Sequence, residues 1–404
     1  MGSELISVLM VNYNHEETIG ETIESVLSQT YSNIQFIIVD DGSTDNSCNV
    51  IKKYNDSRIE LYRLEKNCHI CQATNYGLTK VRGKYLARID SDDIWYPGKL
   101  ERQINFLKED STRDICFSWI DLIDENGNNI NEECGELVRL FETNYKGQEE
   151  WLHTFYFIGN CLSHPSVLMK TKVMNEIGGF ELGYMQAHDF DYWIRIAKQF
   201  SIYIIPERLL AMRRFVESVN KGKNNSNDSI ECNTRFFNEF TDIRAHFFDD
   251  MDNALFRKTF GTDFINKNAK TELELECEKA FLMCRPICGE KGIPPAGIRR
   301  LHELFRRPEA VSVLEDIYNF RVQDLYQLTG KHLYCDKMWN KRLEKALEDC
   351  QRLQDKVERL EEENKNQKRL IQEYAESTTW KIMAPFREVG RAVKKMSAIN
   401  KKMS

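Results

Sequence analysis

The strongest fold signal lies in residues 6–47, ISVLMVNYNHEETIGETIESVLSQTYSNIQFIIVDDGSTDNS. Its two apolar runs, Ile6–Val11 and Ile34–Val39, have the length of buried strands. Between them, Glu17–Gln29 carries apolar residues at the spacing of one helix face. A strand, a helix and a second strand in this order predict a parallel βαβ unit.

The same alternation continues as far as residue 89. It predicts helices over 47–54 and 71–80 and strands over 59–64 and 85–89. The fold class is therefore α/β, with a mostly parallel sheet, and such sheets bind ligands beyond the carboxyl ends of their strands. Three of these ends carry polar clusters: Asn12-Tyr13-Asn14, Asp40-Asp41-Gly42-Ser43 and Asp90-Ser91-Asp92-Asp93.

Size and composition narrow the class of protein. The chain has 404 residues, enough for two or three domains, and its 41% hydrophobic and 29% charged residues are typical of a globular protein. A net charge of −7 gives no reason to expect a nucleic-acid partner. No apolar run is long enough to span a membrane, and no signal peptide is visible. The twelve cysteines do not form the closely spaced pattern of a disulfide-rich protein. We therefore expect a cytoplasmic protein with reduced thiols.

The acidic run Asp90-Ser91-Asp92-Asp93 is the most informative short motif. Carboxylates two residues apart at a strand end can share one hard divalent cation, Mg²⁺ or Mn²⁺, which bridges substrate phosphates. The alternative is that these acids only begin the helix that follows. Taken alone, the motif does not decide between the two interpretations.

The order of the motifs resembles the family 2 glycosyltransferases of the GT-A fold. The quoted stretch and GKYLARIDSDDIWYPGKLERQINFL, residues 83–107, match that family over about 5–107. The likeness continues to about 215 through SHPSVLMKTKVMNEIGGF, residues 163–180, and HDFDYWIRIA, residues 188–197. The resemblance implies an inverting, metal-dependent transfer of a sugar from a nucleotide-sugar.

The resemblance also assigns roles to residues. It implies that Asp41 accepts the imide hydrogen of a uracil or thymine ring, which favours a UDP-sugar with a dTDP-sugar as runner-up. It implies that Asp92, with Asp93 ligating or supporting, holds the metal. The remaining positions that it places around the nucleotide-sugar are Val11, Asn12, Tyr13, Asn75, Arg88, Asp90 and Ser91.

A catalytic base must lie across the sugar from the departing diphosphate, so it must come from a distant part of the chain. Asp189 occupies the place of the family's Glu-Asp base motif, with His188 in place of the first acid. The alternative is that Asp189 is simply an acid in the first turn of a helix. A frequently basic position of the family is Thr74 here, so the phosphate contact is expected from Arg88 or Lys84.

The sequence from residue 341 onwards differs in pattern from the rest. A heptad pattern over 341–376 predicts a coiled coil and a homodimer, with a single helix docked on its own domain as the alternative. Its core positions are Leu343, Ala346, Cys350, Leu353, Val357, Leu360, Asn364, Gln367, Ile371 and Tyr374. Beyond it, 380–403 reads as a basic amphipathic helix suited to an anionic membrane surface, or alternatively to a protein surface.

These patterns predict four segments: a GT-A glycosyltransferase domain over 1–225, an α-helical domain over 226–338, a coiled coil over 339–376 and a tail over 377–404. The expected acceptor is a cell-surface glycan or a lipid-linked glycan, reached from the inner face of the cell membrane. Two alternatives stay open: transfer to a protein or peptide, and a degenerate GT-A domain without activity on a coiled-coil scaffold.

Overall fold

The computed structural model describes residues 4–214, 230–287, 292–332, 334 and 337–400. Eight strands form one sheet in the order β3-β2-β1-β4-β7-β6-β8-β5. The strands are β1 (Ile6–Asn12), β2 (Ile34–Asp40), β3 (Ile59–Arg63), β4 (Tyr85–Asp90), β5 (Ile94–Trp95), β6 (Ile115–Ile123), β7 (Leu168–Lys170) and β8 (Ile202–Arg213). Strands β1 to β4 are mutually parallel, whereas β7 is antiparallel to β4 and β6. The predicted α/β class with a mostly parallel sheet is confirmed.

Helices cover both faces of this sheet, which explains why every residue of β1 and β2 is buried. The helices that lie before residue 214 are α1 (Ile19–Leu27), α2 (Ser47–Ile51), α3 (Ile70–Leu78), α4 (Lys99–Glu109), α5 (Gly135–Phe141), α6 (Gln148–Phe157), α7 (Thr171–Ile177) and α8 (His188–Ala197). One apolar cluster packs α1 and α4 on one face, and another packs α3, α6 and α8 on the other.

The strand register brings the predicted polar clusters together. Val11 lies beside Asp90 on one neighbouring strand, and Asn12 lies beside Asp40 on the other. The carboxyl ends of β2, β1 and β4 therefore form one edge of the sheet, as the sequence predicted.

The helical region shares its core with the sheet domain. Phe247, Phe256 and Phe260 belong to the same buried cluster as Leu9 of β1 and Trp193 of α8. Its helices are α9 (Ile230–Ala245), α10 (Asn253–Phe260), α11 (Glu272–Met283), α12 (Pro295–Leu304), α13 (Pro308–Asp316) and α14 (Val322–Lys331). The expected domain boundary at 225 lies outside the described residues.

The chain divides into two compact units, 1–338 and 339–404. The predicted coiled-coil segment lies in one 40-residue helix, α15 (Lys337–Glu376), and α16 (Thr378–Ile382) and α17 (Ala384–Asn400) follow it. Among the described residues, no helix is both long enough and apolar enough to cross a membrane.

Candidate active site

The ends of β1 and β2 are held together by side-chain hydrogen bonds. Asn12 Nδ2 donates to Asp40 Oδ1 at 2.9 Å and to Ser43 Oγ at 3.1 Å, and the Ser43 backbone N–H donates to Asp40 Oδ2 at 3.1 Å. Asp40 is fully buried and braces the loop after β2. The sequence predicted Asn12 at the nucleotide-sugar, and its Oδ1 is a buried acceptor without a hydrogen-bond partner among the described residues.

Asp41, the predicted base-recognition residue, is 2% exposed at this edge. Its Oδ1 accepts a hydrogen bond from the Cys68 N–H at 2.8 Å, and burial raises the pKa of this carboxyl. The next residue, Gly42, has φ of +73°, and a Cβ there would lie 2.6 Å from the Lys66 carbonyl carbon. Only glycine allows this turn to approach the loop that contacts Asp41 so closely. Val11 is buried and Tyr13 is half-buried at the adjacent end of β1.

Strand β4 places Arg88 and Asp90 two residues apart, and therefore on the same face of the sheet. Arg88 is 1% exposed; its Nη1 donates to Thr74 Oγ1 at 2.8 Å, and its Nη2 lies 3.6 Å from Asp90 Oδ1. Its Nε and Nη2 have no hydrogen-bond partner among the described residues. Burial lowers the pKa of the guanidinium. The Asp90 side chain remains 40% exposed. Arg88 thus directs unused donors towards the strand end.

Two other predicted positions have structural contacts. Asn75 Nδ2 donates to the Phe180 carbonyl at 2.8 Å, and Asn75 Oδ1 accepts from the Phe180 N–H at 2.7 Å. Ser91 is buried, and its carbonyl oxygen accepts a hydrogen bond from Thr18 Oγ1 at 3.2 Å. In this structure, the Asn75 side chain holds the Phe180 backbone, and the backbone of Ser91 is itself held by the Thr18 side chain.

The two metal-ligand candidates differ in position. Asp92 is half-buried, whereas Asp93 is 1% exposed and its Oδ1 accepts the Arg213 backbone N–H at 2.9 Å. The Arg213 side chain donates to the Asp92 carbonyl at 2.9 Å and to Glu21 Oε2 at 2.6 Å. The sequence did not predict this anchoring role of Arg213, because 120 residues separate it from Asp93.

The acidic run has the electrostatics of a cation site. Partial loss of hydration raises the pKa of Asp90, full burial raises that of Asp93, and repulsion from Asp92 adds to both shifts. Asp93 Oδ2 is a buried acceptor with no hydrogen-bond partner among the described residues. A divalent cation would offset this repulsion with the oxygen ligands that it prefers. The described residues contain no group of three or more His, Cys, Asp or Glu side chains that could hold a metal alone, so other ligands would have to complete the site.

Asp189, the predicted base, lies in the first turn of α8. Asn160 Nδ2 donates to its Oδ2 at 2.9 Å, and the Phe190 N–H donates to its Oδ1 at 2.8 Å. Burial raises the pKa of this carboxyl to about 6, and the negative charge of Asp90 contributes to the rise. A carboxylate with a pKa near the working pH is suited to accepting a proton.

The loop before α8 is held by Glu239 of α9, which no sequence motif identified. Its carboxylate accepts three backbone hydrogen bonds, from Met185 at 2.9 Å, Gln186 at 2.7 Å and Ala187 at 2.8 Å. Glu239 is buried, so these hydrogen bonds replace its lost hydration. The helical region thereby fixes the start of the helix that carries Asp189.

Two histidines lie close together here: His188 begins α8, and His164 packs against Trp193 of the same helix. The His164 and His188 ring centres are 5.5 Å apart, and the Nε2 atom of each is buried without a hydrogen-bond partner among the described residues. Burial lowers the pKa of His164 well below its usual value and that of His188 to about 4, and nearby Arg88 reinforces both shifts. Both imidazoles are therefore neutral near pH 7, and they add polar atoms close to Arg88.

Comparison with known proteins gives the family. The glycosyl transferase family 2 model matches residues 7–172. The chain is 34% identical over 218 residues to an uncharacterized glycosyltransferase, MJ1057, of Methanocaldococcus jannaschii, covering 53% of this chain and 72% of that protein. It covers a smaller share of some other relatives. An uncharacterized glycosyltransferase of Rickettsia felis is 28% identical over 290 residues; this alignment covers 70% of this chain and 46% of that protein.

One relative has a more specific name: the UDP-Glc:alpha-D-GlcNAc-diphosphoundecaprenol beta-1,3-glucosyltransferase WfaP of Escherichia coli. It is 32% identical over 195 residues, and the alignment covers 48% of this chain and 70% of that protein. A crystal structure of S. aureus TarS 1-349 in complex with UDP covers 81% of this chain and 92% of its own, with a TM-score of 0.48 and 18% identity. The family match and the sheet order agree with the predicted GT-A fold. The chain belongs to glycosyl transferase family 2 and is a glycosyltransferase.

Proposed function

We propose that this protein transfers a sugar from a UDP-sugar to a lipid-linked glycan, with inversion at the anomeric carbon and Asp189 as the catalytic base. The observation that carries the proposal is the Asp189 carboxylate, whose pKa is raised to about 6 and which Asn160 orients at the start of α8. The acidic strand end of β4 is near enough to contribute to that pKa.

The donor half of the proposal rests on Asp41 and on the relatives. A buried carboxylate whose pKa is raised can accept the imide N–H of uracil, which stabilises the carboxylate and favours a base with an imide, uracil or thymine, over the other bases. The name of WfaP includes a UDP-sugar donor. The unused donors of Arg88 lie beside Asp90, in a position suited to sugar hydroxyls or to a phosphate oxygen.

Asp92, together with Asp90, is proposed to hold Mg²⁺ or Mn²⁺, and the diphosphate completes the ligand set. Asp93 is proposed to support this arrangement, since its Oδ1 already accepts the Arg213 N–H and its Oδ2 is buried. The bound cation would neutralise charge on the departing nucleoside diphosphate.

In the reaction, an acceptor hydroxyl oxygen bonds to the anomeric carbon as the bond from that carbon to the diphosphate oxygen breaks. Asp189 takes the hydroxyl proton, and the electron pair of the broken bond leaves with the nucleoside diphosphate. The hydrogen bond from Asn160 keeps the carboxylate ionised and oriented until the transfer.

The acceptor half rests on the WfaP name, which includes a diphosphoundecaprenol-linked sugar, and on the C-terminal tail. Seven Lys or Arg residues and one Glu lie within 380–403, and apolar Ile382, Phe386 and Val389 are more than half exposed. A basic helix with exposed apolar side chains is suited to an anionic membrane surface, where a lipid-linked acceptor is available. We therefore propose peripheral membrane association through this tail.

The test of the base is Asp189→Asn, with Asp191→Asn as matched control. Asp191 lies two residues further along the same helix and pairs with Arg195 at 2.9 Å. We expect Asp189→Asn to lower kcat by roughly 10²–10⁴-fold with UDP binding unchanged, and Asp191→Asn to retain most of its activity. Undiminished transfer by Asp189→Asn would overturn the assignment of the base.

Radiolabelled UDP-sugars, offered separately with membrane lipid extract and with protein extract, test the acceptor. Product in the lipid fraction is expected, whereas product only in the protein fraction would replace the lipid-linked acceptor with a polypeptide. Treatment with EDTA tests the cation: transfer should stop and return with Mn²⁺, and transfer unaffected by EDTA would refute the role of Asp92.

A further inference from the structure

Helix α15 carries a long stripe of exposed apolar side chains. Leu343, Leu353, Val357, Leu360 and Ile371 are each between 53% and 69% exposed. They belong to the alternating three- and four-residue spacing that runs from 343 to 374. An apolar stripe with this period is stabilised when a second helix with the same period covers it.

We propose that α15 pairs with α15 of a second copy of this chain in a parallel, in-register, two-stranded coiled coil. The heptad places Leu343, Cys350, Val357, Asn364 and Ile371 at a positions. The d positions are Ala346, Leu353, Leu360, Gln367 and Tyr374. A second copy is the occupant with a matching period over the whole length, because each helix offers the other an identical stripe.

The polar core positions decide the direction of the two helices. In a parallel, in-register pair, Asn364 faces the partner's Asn364 and Gln367 faces the partner's Gln367, so the side-chain amides can hydrogen-bond to each other. In an antiparallel pair of full overlap, Asn364 faces the partner's Leu353 and Gln367 faces the partner's Cys350. That arrangement buries the Asn364 amide without a partner, which is costly.

The flanking charges are compatible with the parallel pair. Lys356 at a g position meets the partner's Glu361 at the following e position, and Glu363 meets the partner's Lys368. By symmetry each of these pairs forms twice. Within the described part of α15, the ion pairs inside the helix involve other residues, Arg352 with Asp349 and Arg369 with Glu373. These four charged groups therefore remain available to the second helix.

Cys350 provides a native reporter of the register. It is an exposed free thiol at an a position, so a parallel pair in register brings it opposite the partner's Cys350. Oxidation of the full chain by copper-phenanthroline should then give a disulfide-linked dimer, and Cys350→Ser should abolish that crosslink while the protein remains dimeric in light scattering. The double variant Cys350→Ser with Gln367→Cys should crosslink again, since parallel helices also place residue 367 opposite its own copy.

Disruption of the stripe tests the dimer itself. Leu353→Glu with Leu360→Glu should give a particle of half the mass, because both leucines are more than half exposed in the single chain and the monomer loses no core packing. The matched control, Asn366→Glu, adds a charge outside the stripe and should stay dimeric. Asn364→Val should loosen the preference for two strands and yield larger oligomers.

Each measurement can overturn the proposal. A monomer at all concentrations, or a trimer, rules out the two-stranded pair, as does a dimer that survives Leu353→Glu with Leu360→Glu. A dimer in which neither Cys350 nor the cysteine introduced by Gln367→Cys crosslinks to its own copy rules out the parallel register. These measurements do not depend on sugar transfer, so they test the dimer independently of the proposed activity.

Discussion

Replacement of Asn160 by alanine should move the acid limb of the pH–rate profile without removing the base. Asn160 Nδ2 donates to Asp189 Oδ2 at 2.9 Å and favours the ionised carboxylate, whose pKa is already raised to about 6 by burial. A hydrogen bond to a charged group contributes about 1.5–3 kcal/mol, and one pKa unit corresponds to about 1.36 kcal/mol. Because water can replace part of the lost contact, we expect the pKa to rise by about one unit, to about 7.

The expected profile follows from the fraction of ionised base. At pH 5, about 9% of Asp189 is ionised in the wild type and about 1% in the variant, so kcat/KM should fall by roughly ninefold. At pH 8 the fractions are about 99% and 91%, so the two enzymes should be nearly equal. The assay is initial-rate transfer at subsaturating substrate between pH 5 and 8, at constant ionic strength.

A structural role of Asn160 would give a different result. If the variant only displaced Asp189, the rate would fall by the same factor at every pH, and the acid limb would stay near 6. Such a uniform loss would contradict the role of Asn160 in keeping the base ionised. Asn75→Ala is the control, since Asn75 holds the nearby Phe180 backbone and does not contact Asp189. It should leave the limb in place.

Three further predictions follow from the contacts around the site. Glu239→Gln removes an acceptor oxygen from the backbone N–H groups before α8, and should lower the free energy of unfolding in urea by about 2–4 kcal/mol. It should also change kcat more than it changes KM. Unchanged stability and unchanged kcat would contradict the role of Glu239 in holding this loop. Arg213→Leu removes the donor to the Asp92 and Glu125 carbonyl oxygens and should cost about 1–3 kcal/mol in the same measurement. The lost pair with Glu21 adds little to this cost, because the Glu21 side chain is 60% exposed. Asp92→Asn should weaken Mn²⁺ binding in calorimetry by at least about tenfold while the melting temperature is retained, and unaltered binding would exclude Asp92 as a ligand.

Much of the fold could be predicted because its signals are local. The strand ends carrying Asp41 and Asp90 follow short apolar runs, and parallel pairing necessarily places such ends at one edge of the sheet. Asp189 could be located only through the family resemblance, because an acid in a first helical turn is common in any protein.

The supporting contacts could not be predicted, for a physical reason. Arg213 reaches Asp93 across 120 residues, and Glu239 reaches Ala187 across 52, so each depends on how distant elements pack. Burial also changes what a residue does: Asn75 is occupied by the Phe180 backbone, and one oxygen of Asp93 by Arg213, although the family resemblance placed Asn75 at the nucleotide-sugar and Asp93 at the metal. Sequence spacing gives the order of such groups but not the direction in which their side chains point.

The three hydrogen bonds of Glu239 also indicate how much of the chain is needed for activity. The family match ends at residue 172, yet the loop before Asp189 is hydrogen-bonded to Glu239, in a helix that begins at residue 230. A fragment cut after β8 would retain every acidic strand end and the proposed catalytic carboxylate, but it would lack the glutamate that holds the loop before α8. The smallest piece of this chain worth expressing for sugar transfer therefore extends at least through α9.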